Sequence, residues 1–312
     1  MRIMFTGGGG AGTEALWRFL HRSHEIHFAD ADPTRIHEIV PEVRRHAIPM
    51  AREATFTDAV MDLCNDLELD AIVPGVDEEL LPLAQVRQAL APTVLVCPEY
   101  EFIAAMLDKG RFVEWLVKSG LPSPATTTLT SPNSVGFPCI VKPCRGRGSR
   151  GVFVVHHETE LQALRNSITD PESYLIQELL VGEEYTVQVV ANRLGNLVGI
   201  GQARVIEKRG ITIHAVSANE AAVRAVCSRI HELWPTTGLY NVQGILVPHR
   251  GFVPFEINPR ASTTMCLAMA AGLDTIGPHF DTESSFREAT SGVELRRFWT
   301  NVFTGLPLEA PS

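Results

Sequence analysis

The sequence predicts an α/β chain: a parallel sheet wound by helices at the start, then a β-rich α+β middle and end. Three observations carry this. Roughly the first hundred residues alternate short apolar runs with stretches of helical spacing, the rhythm of βαβ units. Farther along, "FPCIVKP" and "VFVVHH" flank a glycine turn, which reads as an antiparallel hairpin. Finally, "NVQGILVPHRGFVPFEINPR" reads as a second hairpin that stops on polar residues.

Taken in order, "MRIMFTGGGG" is a short buried strand that breaks into a glycine turn. "AGTEALWRFL" has helical spacing, with Ala15, Leu16, Phe19 and Leu20 on one face. "HEIHFADADP" is a second strand, residues 55–68 a helix, and "LDAIVPGVDEELLPLAQVRQAL" a strand, a loop and a helix. "PTVLVC" closes this series. Leu107 to Ser119 is a new helix that ends at Gly120, Pro122 and Pro124, a firm stop. "SYLIQELLVGEEYTVQVVAN" supplies a strand, a linker and a strand, and "NLVGIGQARVIE" extends the sheet. Residues 219–234 are helical, and "MCLAMAAGLDTIG" reads as an apolar helix. In residues 281–312, "ELRRFW" suggests a closing helix or an oligomer contact.

The chain has 312 residues and a net charge of -9, from 27 basic and 36 acidic side chains. That balance fits a soluble protein and argues against a general nucleic-acid binder, though not against a local basic pocket. No stretch has the form of a signal peptide, and no apolar run approaches the roughly 20 residues that cross a bilayer. The six cysteines form no CxxC pair, so reduced core thiols in a cytoplasmic protein are expected.

Gly7, Gly9 and Gly12 match GxGxxG, and Asp30 ends the next strand. Three readings stay open: a nicotinamide site with Asp30 on a ribose hydroxyl, an anion held at the following helix, or a structural turn. The stretch after residue 120 does not resemble a dehydrogenase's second half. Lys142 raises a sharper question: an ammonium inside an apolar strand needs an anion, unless it snorkels out of a solvated hairpin turn. The adjoining "CRGRGSRG" offers glycines, Ser149 and three arginines, a composition suited to phosphate. The ending GK[ST] is absent, so it is no Walker A loop. Glu256 and Asn258 stand two apart on the final strand and so share a face, where their oxygens suit a hard cation; the alternative is a strand ending in a polar turn at Asn258 and Pro259. Arg260 follows as a positive fork. Asp77, Glu78 and Glu79 would receive an amine or cap a helix, and His214 would be a base or an ordinary strand histidine.

In chain order, "LDKGRF", "FPCIVKPCRGRGSRG", "IQELLVGEEYTV", "NVQGIL" and "FEINPR" resemble the ATP-grasp superfamily, with the nearest look to its carbamoyl-phosphate-synthase-like and amino-acid-ligase-like branches. The resemblance implies an ATP-grasp fold preceded by a Rossmann-like parallel-sheet domain. It divides the chain into that domain at 1–103, a small subdomain with a glycine-rich lid at 104–180, and a large subdomain with the metal site at 181–312. It also implies ATP and magnesium, with manganese as the alternative ion, and a ligase that activates a carboxylate as an acyl phosphate before an amine attacks. Carried over by position, Lys109 and Lys142 would meet phosphates under a loop that includes Gly146, Gly148, Ser149 and Gly151. Glu178 and Leu180 would border adenine, and Glu184 the ribose. Gln243, Glu256 and Asn258 would hold the metal, with glutamine where the family usually has a second carboxylate. Lys142, Arg260 and Arg209 would be catalytic, and Arg204 and Lys208 would share the substrate's carboxylate with Arg209. Expected partners are small-molecule carboxylates and amines, without nucleic acid or membrane, and with room for a homodimer. The alternatives are an NAD-linked oxidoreductase and a non-catalytic ATP-binding protein.

Overall fold

The computed structural model describes residues 1–146, 148 and 150–299. Its first five strands are β1 (Arg2–Thr6), β2 (Glu25–Asp30), β3 (Arg45–Ala47), β4 (Ala71–Val73) and β5 (Val94–Leu95). They lie in the order β3-β2-β1-β4-β5 and every pairing is parallel. Crossover helices α1 (Thr13–Leu20), α2 (Phe56–Asp66) and α3 (Asp77–Gln85) cover the sheet. Covering both faces requires apolar side chains in both directions, and β4 is accordingly buried along its whole length. This is a doubly wound arrangement, in which loops at the carboxyl ends of the strands face the rest of the molecule.

Two helices follow, α4 (Tyr100–Met106) and α5 (Lys109–Lys118). The Asp108 side chain starts α5 by accepting from the amides of Gly110 and Arg111, which satisfies two donors of its first turn. The second sheet contains β6 (Thr126–Thr128), β7 (Cys139–Pro143), β8 (Phe153–Val155) and β9 (Tyr174–Glu178), ordered β6-β9-β7-β8 and antiparallel throughout. Helix α6 (Glu158–Ser167) packs on it through Leu161.

The third sheet is built from β10 (Glu183–Ala191), β11 (Leu197–Arg209), β12 (Ile211–Ala218), β13 (Gly238–Val247), β14 (Gly251–Asn258), β15 (Arg287–Glu288) and β16 (Glu294–Arg296). Its order is β14-β13-β10-β11-β12-β16, with β15 parallel to β11. Helices α4, α5 and α7 (Ala221–Leu233) cover one face, where Phe102, Phe112, Tyr185, Tyr240, Phe252 and Ile257 form the core. Pro254 is tolerated in β14 because that strand is an edge and needs no donor on its free side.

The expected α/β and α+β classes are both present. Two details differ from the sequence reading. "ELRRFW" contains a strand: β16 pairs antiparallel with β12 and completes an otherwise open edge. The apolar helix at "MCLAMAAGLDTIG" is only α8 (Met265–Ala270), because Gly272 takes a φ of 86° and ends it. All six cysteines are free and only Cys144 is less than buried. Among the described residues, no helix is long and apolar enough to cross a membrane.

Candidate functional site

Alternation along the strands creates the site. On β7, Cys139 and Val141 enter the core, so Ile140 and Lys142 turn to the other face. On β9, Ile176 is core and Gln177, opposite Ile140, joins them. On β13 and β14, Val242 and Ile257 are core, so Gln243, Ile245 and Glu256 face outward. These outward faces of the second and third sheets enclose a cavity of about 320 Å³. The N-terminal residue of α5, Lys109, and the glycine loop at Gly146, Gly148 and Arg150 close one end, while the linker Glu178–Leu180 closes another.

The charges in this cavity are unevenly matched. Lys109 Nζ lies 3.2 Å from Glu256 Oε1 and donates to the Gly146 carbonyl at 2.9 Å. Lys208 pairs with Glu184 at 2.6 Å, and Glu178 accepts from Arg250 at 2.6 Å. Lys142 is 5% exposed, yet among the described residues its Nζ has only the Phe255 carbonyl at 3.4 Å and the Phe255 ring at 5.3 Å. Burial pulls its ammonium down to about 8; Glu256 opposes this, and Lys109 and Lys208 add to it. A buried cation held this weakly is a place for an incoming anion.

The cavity therefore fits a polyphosphate at its lysine end. Ile140, Val152, Leu180 and Ile245 line it as well and suit a flat apolar ring. For a metal, Glu256 and Gln243 are direct cross-strand partners and both line the cavity. One carboxylate and one amide oxygen suit a magnesium ion that keeps waters and takes phosphate oxygens. Among the described residues, no three His, Cys, Asp or Glu side chains are grouped to hold a metal alone.

Of the residues expected in the site, Lys109, Lys142, Gly146, Gly148, Glu178, Leu180, Glu184, Gln243 and Glu256 line this one cavity. Ser149 lies outside the described residues. Gly151 stands beside Tyr174, whose hydroxyl would be 3.0 Å from an added Cβ, and is not in the lining. Asn258 is on the expected strand face, but its Nδ2 donates to Asn241 Oδ1 at 3.3 Å and it does not line the cavity. Arg260 also lies apart: its Nε donates to Asp77 at the start of α3, 183 residues away, and its Nη1 to its neighbour's carbonyl. Arg209 is exposed and pairs with Glu207 at 2.7 Å, while Arg204 pairs with Glu183 at 2.7 Å. His214 pairs with Glu294 at 2.6 Å. Asp77, Glu78 and Glu79 form the acidic first turn of α3, whose N-cap is Val76 without a side-chain bond; Asp77 accepts from Arg260 and Glu79 from the Thr6 hydroxyl. Phe255, whose carbonyl and ring hold Lys142, had no local signal, since it sits at an irregularity between β13 and β14.

The amino-terminal glycine loop is a different kind of place. Asp30 Oδ2 accepts from the Gly9 amide at 2.8 Å, so the carboxylate expected on a ribose faces its own loop. Arg297 donates to the carbonyls of Ala11, Thr263 and Thr212, tying that loop to the third sheet.

A family model described as the ATP-grasp domain matches residues 106–264, the stretch that builds the cavity. The chain belongs to the ATP-grasp family. Among curated proteins, the large chain of carbamoyl phosphate synthase from Agathobacter rectalis is 26% identical over 186 residues, covering 53% of this chain and 17% of that one. Its counterpart from Neisseria gonorrhoeae is 27% identical over 187 residues, covering 53% and 18%. The matched stretch thus spans less than a fifth of either relative. Among solved structures, carboxyaminoimidazole ribonucleotide synthase from Aspergillus clavatus, complexed with ATP, superposes with a TM-score of 0.70 at 14% identity, covering 92% of this chain and 79% of that one. The L-amino acid ligase from Bacillus licheniformis gives 0.67 at 14% identity, covering 88% and 71%. At such identities the structural likeness establishes the ATP-grasp fold alone.

Proposed function

We propose that this ATP-grasp protein is an ATP-dependent ligase that activates a carboxylate as an acyl phosphate and joins it to an amine, releasing ADP and phosphate. One observation carries the reading: the weakly held Lys142, with Lys109, Lys208, the glycine loop and the Gln243–Glu256 pair, converges on a single cavity. Lys109 and Lys142 would bind the phosphates, and the loop at Gly146–Gly151 would exclude water from a reactive acyl phosphate. Glu178 and Leu180 would border the base, and Glu184 the ribose. Gln243 and Glu256 would hold magnesium, or manganese in its place, and Asn258 would join them only after leaving Asn241. The ion supplies charge neutralisation between phosphate oxygens. Arg209 would serve the substrate carboxylate and Arg260 the transferred phosphoryl group, which requires Arg260 to leave Asp77.

The carbamoyl-phosphate-synthase-like branch is part of this reading, supported by partial matches to the synthase large chains. So is a division at residues 103 and 180, supported by three sheets that fall on either side of those positions. The test is a product screen: protein, ATP and magnesium incubated with a mixed acid and amine library, read by mass spectrometry. The expected result is a condensed product with matching ADP and phosphate. ATP binding without a product from any acceptor would instead favour a non-catalytic nucleotide-binding protein.

A further inference from the structure

The position of Glu256 carries a statement about binding order that rests on the nucleotide reading of the cavity. Glu256 supplies the carboxylate beside Lys109: its Oε1 already faces Lys109 Nζ at 3.2 Å, with the two side chains only 17% and 9% exposed. The other carboxylates of the cavity are taken: Glu184 by Lys208 and Glu178 by Arg250, each at 2.6 Å. Lys142 and Arg150 line the same space. A dication entering the cavity would meet three carboxylates, each already paired with a cation, beside Lys142 and Arg150. A polyphosphate would meet the opposite field, and its oxygens can take over Lys109.

We infer that Glu256 serves two cations in turn: Lys109 in the empty cavity, and a divalent metal only after a polyphosphate has drawn Lys109 away. The nucleotide then binds without metal, and the metal does not bind without nucleotide. The phosphates both release Glu256 and provide the oxygens that a hard ion requires. Metal-free nucleotide is therefore a true ligand of this protein, and excess nucleotide over metal holds it in a loaded but metal-less state.

The test uses the whole chain, with manganese and ADP as probes. Free manganese is followed by electron paramagnetic resonance, and ADP binding by calorimetry in EDTA. The wild type is expected to bind ADP in EDTA and to leave manganese free until ADP is added. Lys109→Met should uncover Glu256, tightening binding of manganese alone about tenfold or more and weakening metal-free ADP by a similar factor. Adding Glu256→Gln to that variant should abolish the manganese gain. Stoichiometric manganese binding to the wild type without nucleotide would overturn the order. So would ADP binding that requires metal, leaving the nucleotide site itself intact. If ADP binds neither alone nor with manganese, the nucleotide reading falls, and the order with it.

Discussion

The chain carries two glycine-rich loops that follow strands, and they have opposite fates. The first, at Gly7–Gly12, is filled by the protein itself. A Cβ on Gly8 would lie 3.0 Å from Phe28 and 3.1 Å from Ile36, and one on Gly9 would lie 2.9 Å from Arg35. Its Gly8 and Gly9 amides already donate to Ala29 and Asp30. Among the described residues, the second loop is open at Gly148, where a Cβ would meet nothing within 4 Å, and closed only at Gly151 by Tyr174; it borders the cavity. Both loops use glycine for a left-handed residue, at Gly7 and Gly148; the first adds close packing, and the second stands beside a ligand-sized space. Similar composition therefore says little about whether a loop binds anything; the surroundings decide.

The sharpest way to break this contrast is at Lys142. Lys142→Met should weaken ADP by about 30- to 100-fold by calorimetry, the loss of a charged contact worth about 2–3 kcal/mol. It should also leave the apo protein at least as heat-stable, because a weakly compensated buried charge is gone. Unchanged ADP affinity would mean that the open loop is no more a ligand site than the closed one.

Next in size is a pair of loop substitutions. Gly9→Val should cost about 1–3 kcal/mol of stability through overpacking, with ADP affinity of the folded protein unaltered. Gly148→Ala should cost about 1 kcal/mol through its positive φ alone, and should lower ADP affinity as well. Denaturant melts and titrations on both proteins separate packing from binding. Weaker ADP binding in folded Gly9→Val would erase the distinction.

The smallest effect concerns acid. In the sheet that carries the closed loop, buried His27 faces His46 and Arg44 at 2.8 Å each and Glu25 at 3.4 Å. Burial lowers both histidines, Arg44 adds to this in each, and Glu25 opposes it at His27. The folded state then holds fewer protons than the unfolded one, so this part of the stability is complete above about pH 6.5 and is lost on acidification below it. Melting points taken from pH 7.5 downward should fall less steeply in His46→Asn than in the wild type. Equal slopes would remove the histidine pair as the cause.

Much of the cavity was legible because strand alternation is local. Ile140 and Lys142, or Gln243 and Ile245, share a face as a direct consequence of a two-residue period. The lone lysine in "CIVKP" stood out before any neighbour was known, and the structure buries it on the cavity side of its strand. Arg260 was less legible: its place after Asn258 suggested the cavity, but its guanidinium lies on Asp77. Phe255 and Asn241 were likewise invisible as partners of Lys142 and Asn258.

By itself, the sequence determined the order and kind of most elements, the faces of the strands, and the residue types able to meet phosphate and a hard cation. These follow from short-range periodicity and side-chain chemistry. Only the tertiary structure decided which glycine loop is closed, which carboxylate Lys109 meets, and where Arg260 spends its charge. Those outcomes depend on contacts between segments far apart in the chain, and Coulomb and packing energies act on distance in space, not on distance along the backbone.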